Sequence, residues 1–227
     1  MELSDRTRSG RDAGDAGDAR DASAKAIELV IMRHGATPGN EAHRYVGRGT
    51  DEPLSETGRL QCMAAGCLMD VAKVYASPLL RARQTARICF PTADIETVPG
   101  LEEFDFGAFE GRTANDMESD SAYRTWVEGN CEGTCPGGES RAVYLARSNS
   151  ALELVLHKAC EREEGRVIVV AHGGTIMAAF SAFAAQGEQR DYFSWQVPNA
   201  QGYRAMVDLC GALPLFSNCT PFETLPA

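Results

Sequence analysis

The sequence predicts an α/β fold, a three-layer sandwich with a largely parallel central sheet flanked by helices. Three observations carry that reading. IELVIMR (27–33) and VIVVA (167–171) are continuous apolar runs, the pattern of strands buried on both faces. Short β-type segments alternate with helical stretches along the chain, and that alternation builds a sheet covered on both sides. No segment recurs at a fixed period, which excludes a solenoid.

Taken in order, residues 1–26 are a mixture of Asp, Arg, Gly and Ala with no apolar stretch. They hold too little apolar surface to order themselves and lack the apolar region of a secretory signal, so they are expected as a tail. Order begins with the strand at 27–33. After a loop rich in Gly, Pro and Asn, Ser55 is placed to cap a helix running through SETGRLQCMAAGCLMDVA. KVYA (73–76) reads as a second strand. Ser77-Pro78 then supplies a helix N-cap with proline at the first helical position, ahead of LLRARQTARICF.

A third strand is expected over 94–98, followed by the irregular LEEFDFGAFEGR and a helical stretch over 113–128. The loop CEGTCPGGES leads into a long helix over 139–163. The strand 167–171 is followed by His172-Gly173-Gly174 and the helix TIMAAFSAFAA. A last strand is expected over 201–209. One domain over 27–210 results, with 211–227 read as a second tail.

At 227 residues the chain is long enough for one domain with its own core. Its net charge of -10 repels nucleic acid and anionic membranes, so neither is expected as a partner. An anionic ligand would have to be attracted by a local basic pocket. No run approaches the roughly 18 apolar residues of a membrane span. The 8 cysteines include no Cys-x-x-Cys pair. Cys131 and Cys135 stand close together without the second pair that tetrahedral zinc needs, so no metal site is expected. With no export signal read in the sequence, the cysteines are expected as free thiols and the setting as cytoplasmic.

Chemistry concentrates at two matched places. VIMRHG and VVAHGG each put a His-Gly pair at the carboxyl end of a buried strand. Ligands of open α/β sheets bind outside those ends. His34 and His172 are therefore candidates for one crevice, with glycines that let backbone approach an anion. Either histidine alone would be better read as a core residue, but the matched setting reverses that reading. His43 and His157 lack it and are assigned to a loop and a helix surface. Arg33 precedes His34, and Arg81 lies just beyond the 73–76 strand. Guanidinium forks match phosphate bidentately and stabilise a phosphoryl group in transfer. Arg83 and Arg87 read as a solvated helix face.

RHGATPGN (33–40), PLSETG (53–58), SPLLRARQTA (77–86), LEEFDFGAFEG (101–111), PGGES (136–140) and VVAHGG (169–174) together resemble the histidine phosphatase superfamily, the phosphoglycerate-mutase-like group. The resemblance keeps the family's order and spans 27 to about 209. It implies that His34 is the nucleophile and that Arg33, Arg81 and His172 bind the transferring phosphoryl group. It also implies that Glu103 is the proton donor, a choice the residues alone do not make over Glu102, Asp105 or Glu110. Thr37, Asn40 and the amide of Gly173 match positions that contact substrate or phosphate. No cofactor is implied, since arginines supply the charge.

Within the group, a phosphatase acting on a small phosphomonoester is favoured over a cofactor-dependent mutase. Mutases resemble RHGESxWN and ERHYG where this chain has RHGATPGN and EFDFG, and they carry paired arginines where 113–135 offers only Arg124. A catalytically silent phosphate-ligand-binding protein is the weakest alternative, because each catalytic position holds the expected residue type. RYVGRGTDEPLSETG (44–58) resembles the loop of bacterial alpha-ribazole phosphatases and also that of family members of broad specificity, so alpha-ribazole phosphate is one candidate substrate and a broad range of phosphomonoesters the other.

Overall fold

The computed structural model describes residues 26–226. Apart from its last residue, the tail expected over 1–26 lies outside them. The apolar run Ile27–Arg33 forms strand β1, and its interior residues Leu29 to Met32 are fully buried. It pairs in parallel with β4 (Arg166–Ala171), with Met32 opposite Val170 and Arg33 opposite Ala171. Beyond β4 lie β2 (Lys73–Ala76) and β3 (Asp94–Thr97), both parallel to it. On the other side of β1 run β5 (Gly202–Asp208) and then β6 (Leu215–Phe222), each antiparallel to its neighbour. The sheet order is β3-β2-β4-β1-β5-β6.

Period-two alternation in the central strands fills both faces. Val30, Met32, Ile168 and Val170 pack with residues of α2 (Glu56–Ala65) and α3 (Leu80–Cys89), such as Cys62, Ala82 and Ala86. Leu29, Ile31, Val167 and Val169 pack with Leu152 and Val155 of α5 (Arg141–Glu161) and with Ile176 and Phe180 of α6 (Gly173–Phe183). The expected three-layer sandwich is therefore present. A third apolar cluster, which includes Phe104, Phe109, Met117, Tyr123, Trp126 and Tyr144, is built from loop residues, from α4 (Ser121–Glu128) and from the start of α5. Among the described residues, no helix is long and apolar enough to cross a membrane.

Residues 211–227 are not merely a tail, because they supply β6. Its buried residues Phe216 and Phe222 are separated by polar positions and Pro221, which break up the apolar signal. Phe216 packs on the rings of Phe180 and Phe183 at 5.4 and 5.3 Å. Proline is tolerated because β6 is an edge strand. The stretch 113–128 is α-helical only from Ser121, where the Asp120 side chain accepts from the amides of Ala122 and Tyr123. Helix α2 stops at Gly66, whose φ of 110° suits glycine alone. Ser77 does not cap α3. The cap position is Leu79, which contributes no side-chain bond.

Candidate active site

The parallel pairing of β1 with β4 brings their two following histidines into ring contact. The rings of His34 and His172 lie 5.2 Å apart, edge to face at 64°, and both residues are buried. His34 Nδ1 lies 2.7 Å from the Gly35 carbonyl, which can only accept, so Nδ1 carries the proton and Nε2 the lone pair. Nε2 accepts from the Nε–H of Arg81 at 3.2 Å. Burial, with Arg81 and Arg33 nearby, holds the His34 imidazole well below its ordinary pKa and therefore neutral. A neutral ring with a fixed lone pair is what a nitrogen nucleophile requires. His172 is held down in the same way, by burial first and then by Arg81 and His34. Its Nε2 is 2.7 Å from Ser77 Oγ, while its buried Nδ1 has no partner among the described residues. Ser77, expected as a helix cap, instead orients this ring.

The two arginines differ in setting. Arg33 donates to the Val197 carbonyl at 2.8 Å, and its buried Nε is unpartnered among the described residues. Arg81 is fully buried and donates from Nη1 to Thr50 O (2.7 Å) and from Nη2 to Gly47 O (3.0 Å). The carboxylate of Glu110 holds that loop through the amides of Gly47 and Gly49 and the hydroxyl of Thr50. Glu110 thus acts on the loop that grips Arg81 and is separate from the proton-donor candidate.

Glu103 reaches the crevice. Its Oε1 accepts from Tyr144 Oη at 3.0 Å and from the Phe104 amide at 2.9 Å, and its Oε2 accepts from the Gly174 amide at 3.3 Å. Gly174 has no room for a side chain, because a Cβ there would meet the Glu103 carboxyl. Glu102 turns away to Arg147 and the Gly100 amide. The Asp105 carboxylate accepts from the Gly107 amide, in a turn where Gly107 (φ 51°) packs against the backbone of Pro136 to Gly138. The structure therefore separates the four acids that the residues alone left equivalent.

Thr37 and Asn40 form a reciprocal capping box around α1 (Pro38–Glu41), at 3.2 Å in each direction. Asn199 ties this turn to the nucleophile by donating to His34 O at 3.0 Å and to Asn40 Oδ1 at 3.2 Å. The two residues expected to contact substrate thus use their side chains on each other. Gly173 opens α6, and a Cβ there would stand 3.6 Å from Arg33 Nε. His43 and His157 are exposed, His43 in the turn after α1 and His157 on the surface of α5, as expected.

Beside Glu103 lies a cavity of about 340 Å³ lined by Tyr45, Phe104, Phe106, Trp126, Tyr144 and Arg141, among others. Sequence reasoning missed most of it. Arg124, the one cation noticed over 113–135, is exposed, whereas Arg141 follows that window and enters the cavity wall. The available signal was its place directly after PGGES, where Ser140 caps α5. Arg147, on the same helix, donates to the carbonyls of Gly100, Glu102 and Glu103 at 2.8, 3.1 and 3.3 Å and so fixes the backbone that carries Glu103. Cys131 also lines the cavity, and neither it nor Cys135 is in a disulfide.

Known proteins resemble this chain in sequence and in fold. The chain is 32% identical over 194 residues to an acid phosphatase of Mycobacterium tuberculosis, covering 81% of this chain and 85% of the relative. It is 36% identical over 165 residues to a 2,3-bisphosphoglycerate-dependent phosphoglycerate mutase of Gloeobacter violaceus, covering 66% of this chain and 72% of the relative. Its fold is like that of the alpha-ribazole phosphatase of Shigella flexneri, with a TM-score of 0.70 at 20% identity over 88% of this chain and 99% of the other. The family model for the histidine phosphatase superfamily, branch 1, matches residues 29–212, and the chain belongs to that superfamily.

Proposed function

We propose that the protein is a phosphatase that hydrolyses a small phosphomonoester through a phosphohistidine on His34. The observation that carries this reading is the His34 ring. Its Nδ1–H is fixed on Gly35 O, and its Nε2 lone pair faces the Arg81 guanidinium in a buried setting. In the first half-reaction Nε2 attacks phosphorus in line, and the Arg81 Nε–H redirects its hydrogen bond to a phosphoryl oxygen. Arg33, the Gly173 amide and the free Nδ1 of His172 bind the remaining oxygens. The P–O bond breaks as Glu103 gives its proton to the departing alkoxide. Water then loses a proton to the Glu103 carboxylate and attacks phosphorus, which breaks the P–N bond and releases inorganic phosphate. Thr37 and Asn40 act as positioning residues that shape the loop after His34. No metal or cofactor enters these steps.

Phosphatase and mutase differ in what accepts the phosphoryl group. The relative named as a mutase keeps the second reading in view, yet Arg124 is exposed and the adjoining cavity wall carries the single cation Arg141, not the arginine pair that a second phosphate needs. The test is to incubate the protein with 3-phosphoglycerate, with and without 2,3-bisphosphoglycerate, and follow both inorganic phosphate and 2-phosphoglycerate. Release of phosphate without need for the bisphosphate is expected, whereas fast, bisphosphate-stimulated isomerisation would promote the mutase. Alpha-ribazole phosphate, suggested by the 44–58 loop, belongs in a parallel substrate panel. All 8 cysteines are free, which supports a reducing, cytoplasmic setting.

A further inference from the structure

The cavity beside Glu103 has an uneven inventory of polar groups. Its wall is aromatic: Tyr45, Phe104, Phe106 and Trp126 pack edge to face or tilted, with ring centroids 4.9 to 6.3 Å apart. Glu103 and Gly174 stand at the end shared with the phosphoryl site. Among the other lining residues Arg141 is the sole cation, and it is only 9% exposed. Its guanidinium carbon lies 4.8 Å from the Tyr192 ring centroid and 5.3 Å from that of Phe193, so the plane is held by aromatic contacts.

The hydrogen-bonding capacity of that guanidinium is largely unused. Among the described residues, its hydrogen bond is a long one, from Nε to Cys131 O at 3.4 Å. The nearest carboxylate, the solvent-facing Glu132, stands 3.8 Å from Nη1, and Nη2 is buried with no partner. Trp126 also lines the cavity, and its indole Nε1 is buried without a partner among the described residues. Buried donors are normally satisfied, and a guanidinium offers five. Two unmatched donors among aromatic rings describe a place whose acceptor arrives with the ligand.

We infer that the leaving group of the substrate is a flat ring bearing a carboxylate, with the ring among the aromatic side chains and the carboxylate on Arg141. This rests on the phosphatase reading and adds the substrate class to it. A single guanidinium balances one negative charge, which fits a carboxylate and leaves a second phosphate under-neutralised. The volume, about 340 Å³, is at the lower end for small-molecule pockets and suits one substituted ring.

The test compares benzyl phosphate, 4-carbamoylbenzyl phosphate, 3- and 4-carboxybenzyl phosphates and alpha-ribazole phosphate. The benzyl esters all lose a similar alkoxide, so differences report binding and not leaving-group chemistry. One carboxybenzyl isomer should exceed benzyl phosphate in kcat/KM by about tenfold or more, mainly through KM, with the carbamoyl ester between them. In Arg141→Met the carboxybenzyl-to-benzyl ratio should fall to near one, whatever happens to both rates, and Arg141→Lys should restore part of it. Thermal melting of each variant separates a misfolded protein from an altered pocket. Equal kcat/KM for the charged and uncharged esters in the wild type would overturn the inference. So would an unchanged ratio in a folded Arg141→Met, or alpha-ribazole phosphate as the fastest substrate with no response to that variant; in each case the phosphatase reading would stand. If no ester is hydrolysed, the phosphatase reading fails. Calorimetry with benzylphosphonate and 4-carboxybenzylphosphonate then still decides the pocket: tighter, Arg141-dependent binding of the acid supports it and equal binding overturns it.

Discussion

The two ends of the crevice are built in different ways. At the phosphoryl end, every group sits at a strand terminus or helix start and is oriented by hydrogen bonds: His34 on Gly35 O, His172 on Ser77 Oγ, Arg81 on the carbonyls of Gly47 and Thr50. At the leaving-group end, side chains from separate loops and helices meet through ring contacts such as Tyr45–Phe106 at 5.0 Å and Phe104–Tyr144 at 5.4 Å. The first end fixes which bond breaks. The second fixes which alcohol leaves, and it can be altered without moving the backbone of the sheet. Glu103 belongs to both, since it lines the cavity and accepts from the first turn of α6.

The largest effect should come from the phosphoryl end. His34→Ala removes the atom that forms the covalent intermediate, so turnover should fall by roughly 10³-fold or more on every substrate alike. Rapid quench should trap acid-labile phosphate on the wild type and none on the variant. Normal turnover by the variant would remove His34 from the mechanism. A loss confined to some substrates would break the distinction between the two ends.

Glu103→Gln sharpens the comparison because it acts at the boundary. An alkoxide departs poorly unless protonated, so alkyl phosphates should lose about 10²- to 10³-fold. Nitrophenyl phosphate, whose leaving group needs little protonation, should lose far less. Glu102→Gln should be mild on both, since that carboxylate faces Arg147 and the Gly100 amide. Equal losses on both substrate classes would make Glu103 a positioning residue only.

How legible each end was follows from the same contrast. His34 and His172 could be read from strand ends, because continuous apolar runs mark buried strands and ligands bind at their carboxyl ends. Glu103 could not be picked from LEEFDFGAFE on residue type, because only three-dimensional direction separates it from Glu102, Asp105 and Glu110. Arg141 lies just beyond the 113–135 stretch, and its burial depends on Tyr192 and Phe193, about 50 residues later. Ser77 looked like a helix cap because Ser-Pro is good capping chemistry, but the nearby His172 ring takes its hydroxyl. The sheet was legible except for β6, whose polar alternation and proline disguise an edge strand.

Acid should weaken the phosphoryl end selectively. The fold holds His34 and His172 neutral, with pKa values well below the ordinary range through burial and neighbouring arginines. The unfolded chain protonates them near about 6.5, so below that pH it binds more protons than the folded state. Stability is therefore fully present above about 6.5 and is lost as pH falls toward the depressed folded values, by up to about 1.4 kcal/mol per pH unit per histidine. Glu96, held at about 2 mainly by Lys158, acts below this window. Urea unfolding at pH 7.5 and 5.5 should show the loss, and His172→Asn should remove part of the slope. A pH-independent midpoint would mean that the rings protonate freely in the folded state.

The smallest effect should come from Tyr144, which touches both ends. Its hydroxyl donates to Glu103 Oε1 at 3.0 Å and lies 3.3 Å from Thr175 Oγ1, while its ring packs on Phe104 and under Arg147. Tyr144→Phe keeps the ring, so the aromatic cluster and the fold should persist with little change in melting temperature. It removes one of three donors to the Glu103 carboxylate and leaves the Phe104 and Gly174 amides in place. One hydrogen bond to a charged acceptor has a net worth of about 1.5–3 kcal/mol, and the other two donors still restrain the group, so a loss of about tenfold or less is expected. That loss should fall on kcat for alkyl phosphates and nearly vanish for nitrophenyl phosphate, because only proton delivery depends on where the carboxyl points. A purely structural role would lower both substrates equally, which would confine Tyr144 to the leaving-group wall.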